Sequence, residues 1–236
     1  ELDDAGRHIK RECAPDEIGA VLIRGPSITP GYVDPQFDEG VLLPGGWVNN
    51  GDLGRIDPDG YLWLTGRAKD LIIRGGHNID PTMIEETLRR HKAVLLAAAV
   101  SKPDAYAGEL PIAYVQLVKG STATGAEIEA FTREHITERA AAPKEVVVLD
   151  EMPLTDVGKP HKVKLRQDAA ARAFTAALTE KLGAAAKIAV EVGPDATHGT
   201  LAKIRASIPG RAAADTEALV HEAMKGYSMQ YRFEGA

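Results

Sequence analysis

A single cysteine, Cys13, in 236 residues excludes an internal disulfide, and seven scattered histidines leave no Cys/His cluster with zinc spacing, so no protein-held metal is expected. Positive charge is not in excess. Against 28 Lys and Arg stand 34 Asp and Glu, and the formal charge of -6 gives no general attraction to phosphodiester backbones or anionic lipid. Nucleic acid is therefore not an expected partner. The longest strongly apolar stretch, Ala93 to Val100, is too short to span a bilayer, and the opening ELDDAGRHIK has no signal-peptide core. We expect no membrane span and a cytoplasmic setting. The phosphate-loop pattern GxxxxGK[ST] is absent as well. Because the chain opens on Glu1 rather than methionine and reaches strand-like patterning by residue 20, it reads as a piece of something longer.

What is present is ordinary globular composition, 44% hydrophobic and 26% charged, enough for at least two compact units. Residues 20 to 65 read as short strands divided by Gly and Pro: AVLIR, PSITPGYV, LGRI and YLWLTG, with Asp57-Pro58-Asp59-Gly60 as a type I turn. DLIIR adds a strand, and Asp80-Pro81 begins a helix whose buried side is marked by Ile84, Leu88 and His91. Two apolar runs, Val94 to Val100 and Ile112 to Val118, flank the loop KPDAYAGELP and suggest paired strands. A helix follows over 124–136, then the buried strand EVVVL. This order predicts a compact α+β unit. Beyond Lys159 an alanine-rich helix, Val163 to Leu182, precedes three alternating segments around Ile188–Val192, Ala202–Ala206 and Tyr227–Phe233, with a helix between the last two that Asp215 can cap and Gly226 can end.

Four Gly-containing segments could carry chemistry: GWVNNGDLGRIDPDGYLWLTGR, AKDLIIRGGHNIDPTMIEE, KPDAYAGELP and EMPLTDVGK. The Asp52 carboxylate can accept ribose hydroxyls and the Arg67 guanidinium can reach a ribose or a phosphate. Taken singly, Asp52 reads more readily as a turn aspartate satisfying its own backbone, and Arg67 as a surface strand residue. Lys159 follows the conformationally free Gly158 and carries a compact charge suited to a phosphate oxygen, although alone it is an ordinary solvated lysine. Arg74-Gly75-Gly76 is a hairpin turn that would also let an extended ligand lie along the backbone.

In order, GWxxxGDLGxIDxDGYLxxxGRxKDxIIxxGxNIxPxxIE followed by PLTxxGK resembles the late motifs of the adenylate-forming (ANL) superfamily of acyl-CoA synthetases, peptide-synthetase adenylation domains and luciferases. With DEIGAVLIRGPSITPGYV upstream, the resemblance spans residues 16–166. It implies an α+β chain with three parts. Residues 1–68 would be the β-rich end of the large adenylating domain. Residues 69–166 would be the mobile C-terminal domain hinged at Lys69, and residues 167–236 an appended α/β subdomain with no visible chemistry.

By position, Asp52 is similar to the ribose-binding aspartate, Arg67 to the nucleotide-contacting arginine, and Lys159 to the lysine that bridges substrate carboxylate and α-phosphate. Arg74, Gly75, Gly76 and His77 correspond to the segment lining the CoA pantetheine channel. Asn50 stands where the family commonly has threonine. The implied function is the C-terminal part of an ATP-dependent carboxylic-acid:CoA ligase, in fatty acid metabolism or a related pathway, using ATP, Mg2+ and CoA. Most phosphate, magnesium and acid contacts would belong to a preceding N-terminal domain, so these residues alone are expected to be inactive. Fatty, aromatic and small branched acids all fit. The alternatives are an adenylation domain loading a carrier protein and a non-catalytic docking module; the tail after Lys159 has no Asp-Ser carrier-type site.

Overall fold

The computed structural model describes residues 1–3 and 5–235 and shows an α+β chain that divides into two compact units, Glu1–Leu71 and Ile72–Ala236. No described helix is long and apolar enough to cross a membrane.

The first unit is built on β3 (Trp47–Ile56), which pairs antiparallel with β1 (Gly19–Ile23), β2 (Leu42–Leu43) and β4 (Leu62–Arg67). Asp57 makes the β3–β4 reversal: its carboxylate accepts the N–H groups of Asp59 and Tyr61, while Gly60 sits at φ +88° and donates to the Asp57 carbonyl. PSITPGYV is not the expected strand. Pro26 and Pro30 cannot donate to a ladder, and the segment folds into turns in which Ile28 N–H meets the Gly25 carbonyl.

The second unit starts with the hairpin β5 (Ile72–Arg74) and β6 (His77–Ile79), followed by α1 (Pro81–Arg89). Asp80 caps α1 by accepting Thr82 N–H at 2.8 Å, and Pro81 takes the first helical position, where its missing donor costs nothing. The long hairpin of β7 (Val94–Asp104) and β8 (Gly108–Leu117) leaves only residues 105–107 as its turn, so most of the expected KPDAYAGELP loop is strand. Pro111 fits there for a positional reason. The side of β8 to which Pro111 turns its carbonyl and Ala113 its N–H is shared by β5, whose ladder pairing is limited to Gly108, and by parallel β9 (Val146–Leu149), which begins at Ala113. The absent N–H of Pro111 falls in the gap between these neighbours and breaks no ladder bond.

Both faces of this sheet are covered, which explains the continuous apolar runs in β7 and β8. Ala97, Ala99, Ala113 and Val115 meet Ile84 and Leu88 of α1 and Ile128 of α2 (Gly125–His135). Ala98, Val100, Ile112 and Tyr114 meet Leu165 and Ala169 of α3 (Lys162–Leu182) on the opposite face. Each fully buried Leu or Ile contributes about 1.5–3 kcal/mol. Thr124 and Glu127 close a reciprocal capping box at the start of α2. His91 lies beyond α1, half-buried with its ring edge on Phe131, rather than on the helix's inner stripe.

α3 continues without a break past 166/167, so the division expected at residue 167 falls inside a helix. Its later turns supply Ala170, Phe174, Leu178 and Leu182 to another core, closed by β10 (Lys187–Asp195), β11 (Gly199–Ser207), α4 (Ala213–Met224) and β12 (Tyr231–Phe233). The sheet order is β10-β11-β12, with β12 parallel to β11. The last strand is shorter than the alternation suggested. Tyr227 and Met229 precede it, packed against this core from a loop. Asp215 occupies the first turn of α4, whose cap is Ala212 without a side-chain bond. It favours the helix through the dipole rather than as a cap.

Tyr114 ties α3 to β8, its buried hydroxyl donating to Asp168 Oδ2 at 2.7 Å. Burial first, and the carboxylate second, push the phenol well above its ordinary value of 10.0. The folded protein therefore keeps this proton where an unfolded tyrosine loses it, so the stability it contributes is complete below pH 10 and declines as pH rises further. Tyr114→Phe should cost about 1–3 kcal/mol at neutral pH. Urea unfolding at pH 7 and above pH 10 should show the gap between parent and variant shrinking with alkalinity; a constant gap would contradict this assignment.

Candidate active site

Asp52 and Arg67 are brought together by register, since they face one another in the β3–β4 pairing. Arg67 Nε lies 3.3 Å from Asp52 Oδ1, and Arg67 Nη2 donates to the Asn50 carbonyl at 3.0 Å. Asn50 holds the other side, its amide donating to Asp52 Oδ2 at 2.9 Å and its oxygen accepting Asp52 N–H at 3.1 Å. The carboxylate is thus oriented by two donors, yet each oxygen has acceptor capacity left for a hydroxyl. Gly51, at φ +78°, allows the tight Asn50–Asp52 turn. Asn50, noted in the sequence only as a departure from threonine, is a structural member of this cluster.

Lys69 is exposed in the short turn Ala68–Asp70, immediately before the division between the two units.

In the second unit, Arg74 and His77 pair across a two-residue turn made by Gly75 at φ +56° and Gly76 at φ +83°. Positive φ at both central positions is the type I′ geometry that suits strand twist. The turn is held from two sides. Arg74 Nη1 donates to the Ala140 carbonyl at 2.6 Å and the His77 ring bonds Glu138, while Gly75 N–H donates to the Ala107 carbonyl at 2.7 Å and Ile73 N–H to Glu109 at 2.8 Å. Glu138 and Ala140 lie 61 and 66 residues from their partners and carried no sequence signal.

Lys159 closes a separate turn. Thr155 N–H donates to the Lys159 carbonyl at 2.7 Å, and Thr155 Oγ1 accepts Lys159 N–H at 3.2 Å, with Gly158 at φ +76° completing the reversal. The PLTxxGK spacing thereby acquires a local cause. The exposed Lys159 ammonium makes no ion pair or hydrogen bond with described residues. Lys162, three residues on, is committed instead to Glu85 at 2.8 Å, whose same oxygen accepts Ala99 N–H. This anchors the start of α3, whereas the Lys159 ammonium stays uncommitted among described residues.

Residues 83–159 match the AMP-binding enzyme C-terminal domain, a match that ends at Lys159. A marinolic acid–CoA ligase of a Pseudoalteromonas strain is 47% identical over 86% of this chain and 31% of its own length. A match of that extent necessarily takes in α3 and β10. A 2-methylpropanoate–CoA ligase of Humulus lupulus is 40% identical over 68% of this chain and 29% of its own. Among solved structures, ATP-bound MatB from Rhodopseudomonas palustris superposes with a TM-score of 0.63 at 30% identity, covering 69% of this chain and 32% of that one. The chain belongs to the adenylate-forming enzymes and carries their C-terminal domain. It spans about a third of the length of these relatives.

A Cβ at Gly75 or Gly76 meets nothing within 4 Å, so substitution there would be penalised by backbone conformation alone. Gly76→Val should destabilise the 236-residue chain by about 1–2 kcal/mol, and Gly76→Asn by less, because asparagine tolerates the left-handed region. Equal unfolding midpoints for the two variants would contradict a strained turn.

Proposed function

We propose that this chain is the C-terminal part of an ATP-dependent carboxylic-acid:CoA ligase. The observation that carries the reading is the uncommitted Lys159 ammonium, displayed on a turn locked by Thr155 at the end of the matched domain. In the first half-reaction a carboxylate oxygen attacks the α-phosphorus of ATP and pyrophosphate leaves. In the second, the CoA thiolate attacks the acyl carbonyl and AMP departs.

Negative charge accumulates around the α-phosphate in the first transition state, and a fixed ammonium there lowers the barrier more than it tightens ground-state binding. Lys159 is assigned that role. Asp52, already oriented by Arg67 and Asn50, is assigned to the ribose hydroxyls, and Arg67 to the nucleotide beside it. The Arg74–His77 turn is assigned to the pantetheine arm of CoA, whose extended form suits a backbone surface without side chains at Gly75 and Gly76. Magnesium would arrive with ATP as part of the substrate.

The names of the relatives favour CoA over a carrier protein as acceptor, while the acids in those names differ. The acid is left unassigned, with fatty acids among the candidates, and cytoplasmic placement belongs to the same proposal. Residues 1–68, 69–166 and 167–236 are read as the end of the adenylating domain, the mobile domain and an appendage, with Lys69 as the hinge.

In the full polypeptide carrying this chain, Lys159→Ala should reduce ATP–pyrophosphate exchange on the order of 10²- to 10³-fold, with preformed acyl-adenylate still converted to acyl-CoA. A solvated surface lysine would change neither rate appreciably, so comparable exchange in parent and variant would remove the assignment.

Lys69→Pro restricts the backbone where a few dihedral changes would reorient a domain. It should slow thioester formation more than adenylate formation. Equal losses in the two half-reactions would exclude position 69 as the hinge.

A further inference from the structure

The last 70 residues touch the unit's main sheet at a second place besides α3. Gly226, just after α4, lies against the β7–β8 turn. A Cβ at this glycine would stand 2.8 Å from Ala105 Cβ, 3.2 Å from the Ala105 carbonyl oxygen and 3.3 Å from its Cα. Ala105 has no flexible side chain to move aside, so the turn's backbone would have to shift. Tyr227 follows at once, its ring edge on the fully buried Phe174 of α3 at a centroid distance of 5.0 Å. Burial first, and the Asp104 carboxylate second, hold the Tyr227 phenol above its ordinary pKa.

That turn has its own inner order. Asp104 Oδ1 accepts the N–H groups of Tyr106 at 3.0 Å and Ala107 at 2.7 Å, and the Ala107 carbonyl takes the Gly75 N–H. Arg74 pairs with Gly108 on the same strand start. Gly226, Ala105, Ala107 and Gly75 therefore form a short mechanical path, carried by contacts between backbone atoms and small side chains. Nothing in it can absorb a displacement by rotating a long side chain.

We propose that the C-terminal α/β subdomain positions the Gly75–Gly76 turn through Gly226 and the 104–107 turn, and so tunes the step that uses CoA rather than the step that uses ATP. The inference rests on the functional reading above for the word CoA, but the mechanical coupling stands apart from it. Gly226 and Tyr227 are positioning residues and touch no reactant. The unexplained appendage thereby gains a role, as a brace behind the 104–107 turn, which is one of the two sides from which the shared domain holds Gly75 and Gly76.

Two measurements separate the coupling from the function. In the 236-residue chain, Gly226→Ala should raise the hydrogen-exchange rate of the Gly75 amide on the order of tenfold, with α2 amides unchanged. Adding Ala105→Gly, which removes the nearest colliding atom, should restore much of the protection. If Gly226→Ala does not fold, Ala105→Gly alone serves, since it withdraws the contact without adding bulk and should loosen the same amide. In the full polypeptide, Gly226→Ala should raise KM for CoA roughly fivefold and leave pyrophosphate exchange within about twofold. Unchanged Gly75 exchange, or a uniform rise across all amides, would overturn the coupling. Loosened Gly75 with unchanged KM for CoA would overturn its role in the thiol step. Absence of pyrophosphate exchange in the parent would instead overturn the functional reading, while the amide measurement would still decide the coupling.

Discussion

The burial of α3 on two cores is the constraint on which the second unit depends. Its first half gives Leu165 and Ala169 to the sheet of β7 and β8, and its second half gives Phe174, Leu178 and Leu182 to the smaller sheet. A helix kinks sharply only where something such as Pro or Gly interrupts its ladder, and α3 contains neither, so one rod fixes how the two cores are placed. Its N-terminal end is secured by Lys162 on Glu85, and its middle by Tyr114 on Asp168 and by Arg172, which pairs with Asp168 within the helix and lies 3.6 Å from Glu145 outside it. The Thr155–Lys159 turn sits immediately before this rod. What holds α3 therefore also holds the backbone from which Lys159 projects.

The charged residues divide by whether they are spent on the fold. Lys162, Glu85, Lys102 and Glu145 are paired within the second unit in partly buried positions where solvent screening is reduced, and Asp168 and Arg172 are paired in more exposed ones. Removing one partner from such a pair leaves the other's charge uncompensated. Lys159 differs in having no such partner, and its exposure is the condition under which an ammonium can exchange water for a ligand oxygen. Asp52 is intermediate: Arg67 and Asn50 orient it without using all its acceptor sites. Preorganisation of that kind fits a residue that meets a ligand rather than one that closes a core.

Legibility in the sequence followed the range of the interactions. The Asp80 cap, the Thr124 helix start, the Asp57 turn and the Gly75–Gly76 reversal are each made within a few residues, and their spacing revealed them. The length of β7 and β8 was not visible, because KPDAYAGELP, with Pro103 and Pro111 near its ends, reads as a loop until β5 and β9 are known to leave a gap beside Pro111. PSITPGYV looked apolar enough for a strand but lacked the donors for one. Asp215 was misplaced by three residues because first-turn acids and caps share a composition. In the site, Asp52 and Arg67 could be named from motif order, whereas Asn50 bracing the carboxylate and Glu138 holding His77 depend on folded geometry.

The same distinction explains why the C-terminal subdomain looked inert. Its contribution contains no glycine-rich ligand loop, only Tyr227 turned onto Phe174 and a glycine small enough for α4's exit to reach Ala105. Such a contact has no signature, since Gly226 reads as a helix terminator and does that work too. The sheet of this subdomain exposes no large hydrophobic side chain among described residues. A packed core joined to its neighbour by a shared helix and one close contact transmits position well. Displacing Gly226 requires moving either the packed Phe174–Tyr227 pair or the 104–107 turn, and the turn, with Tyr106 fully exposed at its tip, is the softer of the two. Strain introduced on this side should therefore appear at Gly75 before it appears in the core that bears Phe174.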